Sequence, residues 1–218
     1  MEDFIALTPV NFFQINFDCH PVGERFPHLV APPKKYILPD LSDLCSEPHF
    51  AKVAMGWNKE GLEFLVESGK PVRHCTYPDI TRGDSCEIFI DTRDVKSAGF
   101  NTRFCHHFFF LPEAVEGHHA GEITRFRTED VHELCDPKEL KVKAHIKPNA
   151  YILNIFIPAQ CLYGYDPEQF DRIGFTYRIN RPEGPAQHFS VITEDYQIDQ
   201  QPSLWSSVNL VKENSPIR

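Results

Sequence analysis

The chain has 218 residues, 41% of them hydrophobic, and a formal charge of −9, which supplies one sizeable core but too little cation density for a surface that tracks phosphates. Nucleic acid is excluded as a partner. No stretch reaches the roughly 20 apolar residues of a membrane-spanning helix, and the opening MEDFIALTPV carries acids where an export signal carries bases, so the expected setting is cytoplasmic, away from membranes.

Seven cysteines, widely spaced and without a CxxC pair, read as reduced thiols ahead of a disulfide framework or a zinc knuckle. Phenylalanine is abundant at 18 and methionine scarce at 2, which predicts a core of rigid rings.

In chain order, residues 12–17 predict a strand. The passage PVGERFPHLVAPPKKYILPD then excludes a long helix, because proline removes donors and bars the residue before it from helical geometry. Residues 1–50 therefore read as an N-terminal extension whose proline-rich arm wraps the outside of the fold. Segments 51–58 (AKVAMGWN) and 61–68 (GLEFLVES) form a hairpin with turn residues Asn58, Lys59, Glu60 and Gly61.

A loop over 69–82 leads into the segment 83–112, GDSCEIFIDTRDVKSAGFNTRFCHHFFFLP. Two strands alternate here: Cys86, Ile88 and Ile90 share one face, Glu87, Phe89 and Asp91 the other. In the second, Phe104, His106, Phe108 and Phe110 oppose Arg103, Cys105, His107 and Phe109. Downstream, EAVEGHHAGE reads as a loop and 123–128 (ITRFRT) as a short strand, with a helical turn at 130–135. Segments 141–147 and 151–157 pair across Pro148-Asn149-Ala150, and a short helix starts at Pro158. The strand 173–181 points Phe175, Tyr177 and Ile179 inward and Thr176, Arg178 and Asn180 outward; 187–191 and 206–211 close the sheet, leaving 212–218 as a tail.

About ten strands without regular helix–strand alternation predict an all-β fold, an antiparallel, jelly-roll-like β-sandwich with one or two short helical turns. The sandwich domain is placed at 51–211.

Three stretches, AKVAMGWNKEGLEFLVE, GDSCEIFID, and YILNIFIPAQCLYGYDPEQFDRIGFTYRIN followed by SLWSSVNL, taken in order, resemble the family 9 carbohydrate-binding modules and their DOMON-like β-sandwich relatives. The resemblance covers about residues 50–211. It implies a sugar clamped between two tryptophans, with Glu, Arg and Asn side chains on its hydroxyls. The Glu and Asn fall on Glu87 and Asn180, and Arg103 is the match for the Arg. The clamp rings have no match: Thr81-Arg82-Gly83 and Arg181-Pro182-Glu183 stand where they are expected, and Trp57 and Trp205 match packing tryptophans.

The candidate ligand-binding set is therefore Glu87, Arg103, His107, Phe109, Arg178 and Asn180, with Glu87 and Asn180 on hydroxyls, the two arginines as charged donors, and His107 with Phe109 as a flat surface. No metal or other cofactor is assigned: His106 reads as a core histidine, His118 and His119 as solvated, and Asp91 with Asp94 as a turn cap in preference to a calcium site. The nucleophile elbow, HExxH, GxGxxG and P-loop motifs are absent, and Glu87 and Asp91 would stand about 13 Å apart on an extended strand, too far for a glycosidase pair. The function read from the sequence is a non-catalytic module that binds a saccharide or a similar polyhydroxylated ligand on one open sheet face. The alternatives are an interaction or assembly module acting on a protein partner or as a homo-oligomer, and a DOMON-like metal- or heme-binding domain with His107 available as an axial ligand.

Overall fold

The computed structural model describes residues 15–45, 47–190 and 196–212; the first half of the predicted 12–17 strand lies outside them, and Asn16 and Phe17 open the first strand. Among the described residues the strands are β1 (Asn16–Pro21), β2 (Ala51–Asn58), β3 (Gly61–Ser68), β4 (Ser85–Asp91), β5 (Cys105–Val115), β6 (His118–Glu122), β7 (Lys141–Lys147), β8 (Ala150–Pro158), β9 (Arg172–Asn180), β10 (Gln187–His188) and β11 (Ser206–Leu210). One sheet runs β6-β5-β4-β9-β11-β1 with β10 beside β9, and the other runs β1-β2-β3-β8-β7. The chain is an all-β sandwich whose helical content, among the described residues, is the turn Ser42–Cys45 and short 3-10 turns.

The pairings are antiparallel except at β1, where the expectation of a wholly antiparallel fold gives way. Asn16–Cys19 run parallel to Ser207–Leu210 of the first sheet, and His20 and Pro21 run parallel to Gly56 and Trp57 of the second. A strand from the first 50 residues thus joins the two layers. Proline is tolerated at its end because no further ladder donor is needed there.

Period-two alternation builds the core. Ile88, Phe108, Phe175 and Tyr177 from the first sheet meet Met55, Phe64, Leu153 and Ile155 from the second, and the rings of Phe64 and Phe175 stack with centroids 5.7 Å apart.

Three local expectations are corrected. Glu116 and Gly117 both adopt positive φ, 52° and 84°, the geometry of a two-residue hairpin turn, so the segment read as a loop carries β6 and residues 123–128 form no strand. The helical turn lies at Pro137–Glu139 instead of 130–135. Cys135 and Cys161 are joined in a disulfide with Cα atoms 4.9 Å apart, whereas Cys19, Cys75, Cys86 and Cys105 are free; the fold brings together two cysteines whose spacing in the chain gave no hint of pairing.

The proline-rich arm lies on the outer face of the second sheet. Leu29 and Tyr36 pack on Ala54 and Leu65, and the buried carboxylate of Glu63 accepts the backbone N–H groups of His28 and Leu29, both at 2.7 Å. The outer face of the first sheet has other covers: Ile80 packs on Phe109 and Leu111, and Ile198 and Trp205 pack on Phe89 and Cys105.

Candidate functional site

The outer face of β4, β5 and β9 carries the predicted polar set. Glu87 sits directly opposite Arg178 in the register, with Ser85 opposite Asn180 and Phe89 opposite His107. Side chains opposite one another or two residues removed share a face, so Arg178, Asn180 and His107 all reach Glu87. One carboxylate oxygen accepts from Arg178 Nε at 2.6 Å and Asn180 Nδ2 at 2.6 Å; the other accepts from Arg178 Nη2 at 2.8 Å and His107 Nε2 at 2.7 Å. Asn180 Nδ2 also reaches Ser85 Oγ at 2.9 Å.

Burial works to raise the Glu87 carboxyl, but the hydrogen bonds from His107 and Arg178 and the guanidinium charge prevail and hold it well below the usual carboxylate range. Burial likewise pulls on Arg178, and Glu87 lifts its guanidinium above its ordinary value. The pair is a bidentate, charge-assisted contact. With all its lone pairs engaged, Glu87 serves as an anchor. Among the described residues, Arg178 Nη1, His107 Nδ1 and Asn180 Oδ1 have no hydrogen-bond partner. His107 donates through Nε2, so a neutral ring offers an acceptor at Nδ1.

The other two predicted residues do not join. Arg103 precedes β5, and its Nε pairs with Asp130 at an exposed position. Phe109 is adjacent to Glu87 in register, but its ring is buried beneath Ile80, with Tyr77 5.7 Å away, and cannot offer a flat face. His107 stacks on Phe89 at 4.2 Å. The expected open surface is also largely closed: Glu87 is 1% exposed, and the side chains of His107 and Arg178 are 8% and 17% exposed. Hydrophobic residues in the 74–82 and 196–205 segments cover that face.

Other candidates resolve case by case. Asp91 caps its turn, accepting N–H from Arg93 at 2.9 Å and Val95 at 2.7 Å; Asp94 contacts Lys96, Arg172 and Ser207. Burial pushes the Cys105 thiol up to about 12, which removes it as a nucleophile beside His106. His106 and His107 point to opposite faces. His106 Nδ1 lies 2.9 Å from Glu122 Oε1, and His132 Nε2 lies 2.7 Å from the same oxygen. Burial lowers His106; it also works against ionised Glu122, yet its contacts with His106 and His132 hold that carboxyl at about 2. His132 escaped the sequence reading because it lies on an irregular segment, where no periodicity assigns a side chain to a face.

Carbohydrate-binding modules are among the solved structures that share this architecture. A family 9 carbohydrate-binding module from Caldicellulosiruptor kristjanssonii in complex with cellotriose superposes with a TM-score of 0.62 at 16% identity, over 94% of this chain and 98% of the module. The fold is that of a carbohydrate-binding module. The same organism's module in complex with glucose gives a TM-score of 0.62 at 16% identity over 93% and 99% of the two chains. A candidate carbohydrate-binding protein from Bacteroides uniformis ATCC 8492 gives 0.52 at 6% identity over 91% and 100%. No family model and no curated protein matches the chain. The module fold thus extends over residues that the sequence resemblance, confined to about 50–211, left out.

Within this fold the tryptophans pack. Trp57 belongs to the main core and Trp205 to the cluster over Phe89, with Trp205 Nε1 donating to the Ile198 carbonyl at 2.7 Å. Where clamp rings were expected, Arg82 pairs with Asp79 at 2.8 Å and Arg181 stacks over Phe50 at 5.1 Å.

Proposed function

We propose that the chain is a non-catalytic module that binds a saccharide at the outer edge of the β4–β9 face. The observation that carries this reading is the convergence of Arg178, His107 and Asn180 on the Glu87 carboxylate, each retaining one polar atom unpartnered among the described residues. One donor and two acceptors held by a buried anchor suit vicinal hydroxyls, which both give and accept hydrogen bonds. The module fold supports the reading, since the structures that share it include complexes with cellotriose and glucose.

The absence of paired clamp tryptophans sets the expected strength. Without two rings to cover a pyranose, affinity rests on a few hydrogen bonds, and a dissociation constant of about 1 mM follows, or roughly −4 kcal/mol. A glycan screen followed by titration calorimetry with the best binder, cellotriose and glucose included, is the direct test. Arg178→Lys and Asn180→Ala are expected to weaken binding about tenfold or more, a loss of about 1.4 kcal/mol, while circular dichroism shows a folded sandwich. A screen in which no sugar binds, or folded variants with the affinity of the wild type, would reject the proposal.

A further inference from the structure

On the other side of β5 from Glu87, a second set of polar side chains meets in the dry interior. His106 from β5, Glu122 at the end of β6 and His132 from the irregular segment that follows are 0%, 0% and 2% exposed at their side chains. Their ligand-capable atoms all lie within 4.8 Å of one another, and the two imidazole rings are 4.2 Å apart.

Hydrogen-bond accounting shows what such a cluster lacks. His132 Nδ1 is 2.7 Å from the Arg103 carbonyl, an oxygen that can only accept, so Nδ1 carries the proton. In a neutral ring Nε2 then presents a lone pair, and that lone pair faces Glu122 Oε1 at 2.7 Å. His106 Nδ1 approaches the same oxygen at 2.9 Å, and the Thr124 hydroxyl donates to it at 2.7 Å. The second oxygen of Glu122 is held by the Cys135 N–H at 2.8 Å. Acceptors brought face to face in a buried space call for a cation between them, either a second proton on His132 Nε2 or a metal ion.

We propose that His106 Nδ1, His132 Nε2 and Glu122 Oε1 form a zinc site. Two imidazoles and a carboxylate are a ligand set that suits this ion, and the fourth position falls to water or to Thr124. Ligand atoms bound to one zinc at 2.0–2.1 Å stand about 3.3 Å apart in a tetrahedron, so the two nitrogen–oxygen separations of 2.9 and 2.7 Å need to open by about half an ångström. The outer contacts are those that orient metal ligands: a backbone carbonyl on the distal nitrogen of one histidine, and a hydroxyl and an amide on the carboxylate. The ion would fasten the unpaired 123–140 segment to β5 and β6, close to where the Cys135–Cys161 disulfide ties it to the turn after β8.

The test is metal binding by the intact protein. Protein produced with zinc in the medium and then desalted is expected to carry about one zinc per chain by mass spectrometry, and to melt at a lower temperature once chelated. Glu122→Gln and His132→Gln are expected to weaken zinc binding about a hundredfold or more, and Thr124→Val about tenfold; His118→Ala and His119→Ala leave it unchanged. Should the ligand variants fail to fold, X-ray absorption of the zinc-loaded wild type reads the site directly, and two imidazoles with one carboxylate support the assignment. Wild-type protein with no zinc above background and no shift in melting temperature, folded ligand variants that bind as the wild type does, loss of zinc on replacing His118 or His119, or an absorption spectrum without two imidazoles overturns it.

Discussion

Two buried glutamates show how the partner decides whether burial prevails over a carboxylate. Glu63 and Glu87 are each 1% exposed. Glu63 meets neutral amides of the arm, burial prevails, and its carboxyl titrates above the ordinary value. Glu87 meets Arg178 and His107, burial is outweighed, and its carboxyl is depressed. The depressed group binds fewer protons in the folded state than in the unfolded one, so its stabilisation is fully present above the ordinary carboxylate value and is lost as acid approaches the folded value. Glu87→Gln should therefore cost about 3 kcal/mol at neutral pH by stranding the Arg178 charge, and should flatten the fall in melting temperature between about pH 5 and pH 3. Thermal melts of both proteins across that range check the sign: an equally steep acid limb in the variant would contradict the assignment.

At the scale of elements, the β2–β3 hairpin sets the second sheet and depends on one glycine. Gly61 has a φ of +148°, and a Cβ there would stand 2.1 Å from the Ile157 carbonyl oxygen. Gly61 opposes Pro158 where β3 meets β8, so any side chain forces the two strands apart. Gly61→Ala is expected to destabilise the protein by more than about 1 kcal/mol, read as a lower denaturant midpoint with an unchanged slope. The sheet edges differ in character: β7, with the sequence KVKAHIK, is almost wholly exposed, and its three lysines discourage pairing with another chain's edge.

For the whole molecule, two sheets share β1 and close on one aromatic core, in which Phe64 of the second sheet stacks on Phe175 of the first. Both rings are 0% exposed, so truncating either leaves a cavity between layers that can relax only in part. Phe64→Ala is expected to lower the unfolding free energy by about 3–5 kcal/mol, measured by denaturant unfolding. A loss below about 1 kcal/mol would mean that the layers are not held together at this contact.

The sequence by itself determined most of the strands and their inner faces, β6 and the stretch 123–128 excepted, because an extended chain sends successive side chains to opposite sides whatever lies around it. Glu87, Arg178 and Asn180 were legible as partners on one outward face for that reason, as were the hairpins at 58–61 and 148–150. Tertiary structure decided everything that depends on what covers a face. It buried the face expected to be open, sent Arg103 to Asp130, placed Phe109 under Ile80, and brought Cys135 to Cys161 and His132 to Glu122. Those contacts come from irregular segments, where position is set by long-range packing and no repeat in the chain encodes direction.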